Sequence, residues 1–284
     1  MAKPKAQSAQ YHQNLSEPTL NLSHMKHSPS YLIIAFFAVW ALTVSCEKDI
    51  SVGSGVTADN RNVFLKAFLT YEGEEFFEDS VYQHPVYPMS FVITDFRMVI
   101  SNFFVETTEE LFIDTTVFAV VKPNVIDYPV LKLSKGSYSG QVGFVSGIPL
   151  FQNFITVPQM FPENSPMREP ILYRGLVPPV NGYNFLVIQG YVLIESGVPG
   201  VDSLTLPFKY ELGHELFSIP NVNKNFSVAN NTQASFGIRV DIDRIIEDFD
   251  LVIIDKIRSN PNDSADYQNA RSLREALDSS IVFF

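Results

Sequence analysis

The chain has 284 residues, 31 acidic against 20 basic, a formal net charge of −11 and one cysteine. That balance excludes nucleic acid and anionic headgroups as partners gripped by bulk charge. A lone thiol excludes an intradomain disulfide and a thiolate metal centre.

Residues 1–24 are polar, with no periodic apolar face, and read as a disordered or non-native extension in which Met25 is the true start. Residues 25–45 then read as a secretion signal. Met25, Lys26 and His27 form a weakly basic opening, and residues 32–44 are uncharged and too few to cross a bilayer, which takes about 20 apolar residues. Ser45 and Cys46 close the segment in the manner of a bacterial lipoprotein signal, so Cys46 is the expected lipidation site. Acyl chains there, at roughly 0.8 kcal/mol per buried methylene, would hold the protein on the outer membrane, on its periplasmic or cell-surface side. Residues 46–61, with Gly53, Ser54 and Gly55, have the composition of a solvated tether.

Residues 62–284 form the expected domain. Residues 62–69 alternate with period two and are apolar on both faces, as in an interior strand. Residues 91–105 are too apolar to face water on either side for long. Further strands are predicted at 117–121, 137–148, 183–195, 204–212 and 236–241, supported by 24 Phe and 12 Tyr in the chain. The turn signal at 196–200 makes 183–195 and 204–212 hairpin partners. Five prolines between Pro149 and Pro170 forbid continuous sheet or helix and mark a long loop. A helix is expected after an Asp263 or Ser264 cap, with Ala265, Ala270, Leu273, Ala276 and Leu277 on one face. A shorter helix is expected after Asp243, and residues 281–284 are expected to dock as a strand or plug. The fold class is therefore all-β, a β-sandwich with a long Pro-rich loop and a C-terminal helix.

A series of landmarks runs through this domain: Thr94-Asp95-Phe96, Ile100-Ser101-Asn102, Leu133-Ser134-Lys135-Gly136-Ser137-Tyr138, Gly143-Phe144, Gly147-Ile148, Gly182-Tyr183, Gln189-Gly190 and Phe208-Lys209-Tyr210-Glu211-Leu212-Gly213. Their order resembles the MbnP-like (copper-binding) domain family of Gram-negative secreted proteins and lipoproteins. The resemblance implies export, a β-sandwich and, in some members, a copper site tied to a modified tryptophan and histidines, with a di-haem cytochrome as partner. This chain departs from that pattern at the metal ligands. Its single tryptophan, Trp40, lies in the signal, and Glu211 stands where the family has a histidine. After the signal, His84 and His214 are the remaining histidines. With Glu211, Asp241 and Asp243 they are the candidate metal ligands, the two histidines otherwise being surface or loop residues.

Other constellations carry less. Gly136-Ser137-Tyr138-Ser139-Gly140 centres on Tyr138, so its hydroxyl is misplaced for a nucleophile elbow. Asp241 and Asp243, alternating onto one face of a strand, could gather Ca²⁺ with Asp248 and Asp250 or serve a carboxylate-dependent hydrolase, and otherwise form a solvated strand-to-helix edge. Sugar binding on exposed tryptophans is not expected, and Tyr173, Tyr183 and Tyr191 read as core or rim aromatics. Asp79-Ser80-Val81, Asp114-Thr115-Thr116, Asp202-Ser203-Leu204 and Asp263-Ser264-Ala265 resemble acceptors for bacterial O-glycosylation. The expected function is that of an envelope-anchored, non-enzymatic binding or accessory module. The alternatives are a copper or other transition-metal protein partnering a di-haem cytochrome, and a hydrolase.

Overall fold

The computed structural model describes residues 50–52, 60–149, 152–153, 156–175, 182–194, 204–213, 218–229 and 233–284. The chain divides into two units, residues 1–47 and 48–284, and the described residues all belong to the second. Trp40, Cys46, His214, the 196–200 turn and the Asp202-Ser203-Leu204 motif lie at least partly outside them.

In chain order the strands are β1 (Ile50–Val52), β2 (Arg61–Tyr71), β3 (Glu74–Glu75), β4 (Val81–Gln83), β5 (Ser90–Thr107), β6 (Leu111–Val121), β7 (Asp127–Leu133) and β8 (Gly136–Ser146). There follow β9 (Asn184–Ile194), β10 (Leu204–Gly213), β11 (Asn221–Val228), β12 (Ala234–Asp241), helix α1 (Ile242–Ile246), β13 (Lys256–Arg258), helix α2 (Ser264–Ser280) and β14 (Ile281–Phe283). Among the described residues nine strands make one sheet, along β1-β6-β5-β9-β10-β13, with β4 and β8 also on β5 and β11 on β8. The other five form β14-β12-β2-β3 with β7 on β2. Their inner faces share one apolar core, where Phe103 and Phe236 from the two sheets meet at 5.6 Å. The fold is an all-β sandwich.

β2 is the interior strand its two apolar faces predict. Val63, Leu65, Ala67 and Leu69 are buried, with β12 parallel along one edge and β7 and β3 antiparallel along the other. The two-residue turn into β3 has Glu72 and Gly73 at φ of 51° and 84°, the left-handed pair that a tight hairpin needs.

β5 organises the larger sheet, and its unbroken apolar run has a specific cause. Irregularities at Thr94 and at Asn102, where φ is 49°, each shift the pleat by one residue. Core residues therefore run Phe91, Ile93, then Phe96, Met98, Ile100, then Phe103, Val105. The strand keeps one face inward by changing phase twice, so Asp95 and Arg97 point outward on either side of buried Phe96.

The hairpin of β9 and β10 forms as expected, from Leu204↔Ile194 to Leu212↔Leu186. Three short 3-10 turns occupy the Pro-rich segment, each opened by its proline, Pro158, Pro166 or Pro170. α2 is capped by Asp263, whose carboxylate accepts from the N–H groups of Ala265 and Asp266. Its Ala270, Leu273 and Leu277 are buried, whereas Ala265 is exposed. Ile281–Phe283 docks on β12 as a strand, and Phe284 is left 59% exposed with its ring over Gly237.

Candidate functional site

The outward face of β5, β9, β10 and β13 gathers the most densely paired charges among the described residues. Strand register lays them in two adjacent rows. One runs Arg97, Val187, Glu211, Arg258, and the next runs Asp95, Gln189, Lys209, Lys256. Within the second row Gln189 donates to Asp95 at 2.6 Å, and Arg97–Asp95 at 3.0 Å and Lys209–Glu211 at 2.9 Å tie the two rows together.

Arg97 is the hub. Its guanidinium also reaches Glu78, from the turn before β4, at 2.7 Å and Glu169, from the Pro-rich segment, at 3.1 Å. Lys122 approaches Glu169 from the far side at 3.4 Å. Burial alone would lower the Arg97 pKa, but the bonds and charges of Glu78 and Glu169 outweigh it and hold it above its ordinary value. The Arg97 side chain is only 14% exposed, so the network fastens the Pro-rich segment to the sheet with charges partly withdrawn from water.

That segment roofs one end of the face. Arg168 Nε donates to the carbonyls of Pro158 and Phe161, folding the segment on itself. Tyr173 bridges to Tyr183, and their rings lie 5.0 Å apart. Beneath the roof Asn153 Oδ1 accepts from Tyr183 N–H, and Asn184 Nδ2 donates to Glu211 at 3.2 Å. The hydroxyls of Tyr173 and Tyr183 are buried without a hydrogen-bond partner among the described residues. Burial, then the neighbouring Tyr173, raises the Tyr183 pKa. Beyond the roof, a depression of about 430 Å³ opens over Thr94, Gln189, Lys209, Asp255 and Lys256.

Among the described residues the sequence candidates do not converge. His84 is neither a surface residue nor free to ligate, because burial is paired with full use of its ring. It is 6% exposed, Nε2 lies 3.1 Å and 2.9 Å from the carbonyls of Ile246 and Phe249, and Nδ1 accepts from Val86 and Tyr87 N–H. Glu211 sits in the charged rows described above. Asp241 ends β12 and Asp243 lies in α1, so the two do not share a strand face: the chain turns into helix between them. Nor is that edge solvated at Asp241, which is 5% exposed and accepts from Thr70 at 2.6 Å and Arg239 at 2.7 Å. Burial would raise the Asp241 pKa, but Arg239, the Thr70 hydroxyl and the Arg244 charge overcome that and leave it lowered. Among the described residues no three His, Cys, Asp or Glu side chains are grouped to hold a metal.

Sequence reasoning overlooked Arg97, Glu78 and Glu169. The legible signal was Asp95 and Arg97 spaced by two within an apolar strand, a pattern that puts opposite charges side by side on one face.

No family model and no curated protein matches the chain. Among solved structures it is similar to MbnP from Methylosinus trichosporium, at 12% identity and a TM-score of 0.44, over 71% of this chain and 82% of that one. A likeness at that level has no bearing on what either chain binds.

Proposed function

We propose that the chain is a non-enzymatic binding module, held on an envelope membrane through lipidated Cys46, whose contact face is the outer side of β5, β9, β10 and β13. One observation carries the reading. The charged groups of that face stand on paired strands in fixed register, and Lys209 and Arg258 are matched by Glu211 as Arg97 is by Asp95. Such a surface is pre-organised for recognition. Acid catalysis would ask for a carboxyl group raised towards neutrality, and Asp241, one of the two carboxylates of the hydrolase alternative, is shifted the other way and so is unsuited to be the acid.

The anchor is tested by expressing the full chain in a Gram-negative host fed a clickable fatty acid. Label on the wild type and none on Cys46→Ala supports it, and an unlabelled wild type removes it. Copper and zinc titration of the same purified protein separates the metal alternative, since stoichiometric uptake lost on His214→Ala would replace the present reading.

A further inference from the structure

A second surface, independent of the face just described, has a different chemistry. β8 and β11 pair antiparallel, and their outward residues stand opposite one another as Ser137 with Ser227, Ser139 with Asn225, and Gln141 with Asn223. All six are exposed. In a chain of net charge −11 these three rungs hold hydroxyls and amides and no charge. Successive rungs lie about 7 Å apart, two residues along a strand. Ser139 donates to Asn225 at 2.6 Å, so the middle rung is already oriented by its own bond.

An aromatic ring marks the far end of the ladder, and a notch adjoins its near end. At the far end Gly143 faces Asn221, and the Phe104 ring lies over Gly143 where a Cβ would approach it to 2.6 Å. At the near end β8 runs past its last pair with β5, Gly140↔Thr107. A notch of about 280 Å³ opens there between β8 and the turn that joins β5 to β6. Its walls include Tyr138, Phe112, Thr107, Glu109 and Glu110, with no cation. Tyr138 is held from behind, stacked on Phe226 at 5.2 Å with Phe112 edge-on at 5.5 Å, and its hydroxyl donates to the Ser134 carbonyl. Burial, then the charge of Glu110, raises its pKa, so the phenol stays neutral.

We propose that this notch and ladder bind a neutral, polyhydroxylated chain, a glycan. The apolar C–H face of a sugar ring packs on an aromatic side chain, carboxylates accept from vicinal hydroxyls, and exposed amides both donate and accept along a polymer. Anionic polymers are opposed by Glu109 and Glu110. A purely cationic ligand would leave the uncharged ladder without a role. Phe104, on the ladder's own face, supplies the stacking that tryptophan gives elsewhere, while Tyr138, on the opposite face of β8 from Ser137 and Ser139, lines the notch at the strand edge.

The test is native gel electrophoresis of the purified chain through dextran, mixed-linkage β-glucan, arabinoxylan and galactomannan, with pectate and chitosan as charged controls. Retardation by at least one neutral polymer is expected, weakened roughly tenfold by Gln141→Ala with Asn223→Ala and by Glu110→Gln, at unchanged melting temperature. Because these side chains are exposed or at the rim, folding is preserved and loss of retardation reports the surface. No retardation by any neutral polymer, retardation by chitosan alone, or full retention in all the variants overturns the proposal. Fatty-acid labelling at Cys46 is read separately, so failure here leaves the anchor standing.

Discussion

The imidazole of His84 lies with Nε2 2.9 Å from the carbonyl oxygen of Phe249, while its other nitrogen receives two backbone N–H groups. One ring thus closes the turn after β4 onto the segment after α1. A nitrogen that accepts cannot carry a proton, so the geometry needs the neutral ring. Burial lowers its pKa from the ordinary 6.5, against the opposing pull of the Ile246 and Phe249 carbonyls and Asp250.

The pH dependence follows with a definite sign. Above 6.5 both folded and unfolded His84 are neutral and the stability from this site is complete. As pH falls below that value the unfolded chain takes up a proton first, and stability declines towards the lowered folded pKa. Urea midpoints at pH 7.5 and 5.5 should show this decline in wild type and a smaller one in His84→Gln. His84→Ala should cost about 2 to 3 kcal/mol at pH 7.5. Equal slopes in wild type and Gln variant would refute the assignment.

Arg97→Met removes the charge that separates Glu78, Asp95 and Glu169. With the four side chains 14% to 30% exposed, screening reduces the penalty, and a loss of about 1 to 3 kcal/mol is expected. Because Glu169 is the tie to the Pro-rich segment, limited proteolysis should cut near residue 169 sooner in this variant. Unchanged cleavage kinetics would show that the segment is held by its apolar contacts alone.

Tyr183 and Tyr128 make a paired test of hydroxyl burial. Tyr128 donates to the Val125 carbonyl at 2.9 Å and accepts from Lys122 N–H, and its pKa is pushed up to about 12, chiefly by burial. Tyr128→Phe should cost about 1 to 2 kcal/mol, whereas Tyr183→Phe, which deletes a buried hydroxyl without a partner among the described residues, should be neutral or stabilising. Calorimetric melting points check both. A large loss in Tyr183→Phe would point to a partner outside the described residues.

Gly190 and Gly237 separate two kinds of close approach. A Cβ at Gly190 would come within 1.9 Å of the Val92 carbonyl, and backbone between paired strands cannot yield without opening β5 from β9. At Gly237 the obstacle is the ring of Phe284, 59% exposed and free to swing out. Gly190→Ala should therefore lose upwards of about 3 kcal/mol and Gly237→Ala about 1 or less. Chemical denaturation that ranks them the other way would contradict the packing described.

Much of this architecture is readable from residue order because one face of each strand must be apolar. β2, β9, β10 and β12 announce themselves through alternation or length, and Asp263 marks where α2 begins. β11 escapes notice because Asn221–Val228 buries few side chains and carries Lys224 at its middle. Here the pairing with β8 outweighs low intrinsic preference. β7 is hidden by Pro129, which sits opposite Phe64 at an irregularity in the pairing where a missing donor is tolerated. The candidate site was legible only in part. Asp95 and Arg97 belong to a strand, but Glu78 and Glu169 reach them from distant turns, and no periodicity connects residues so far apart. The phase changes of β5 are equally silent in composition, since Thr94 and Asn102 become informative only once the faces on either side are known.

The parallel pairing of β2 with β12 joins residues about 170 positions apart, as the Thr70–Asp241 bond records. While the polypeptide is being made, its earliest long strand waits with one edge unclaimed until nearly the whole domain has left the ribosome. A topology of that kind postpones closure of the smaller sheet, slows folding and lengthens the interval in which the chain can still be threaded through a pore or captured by a holdase.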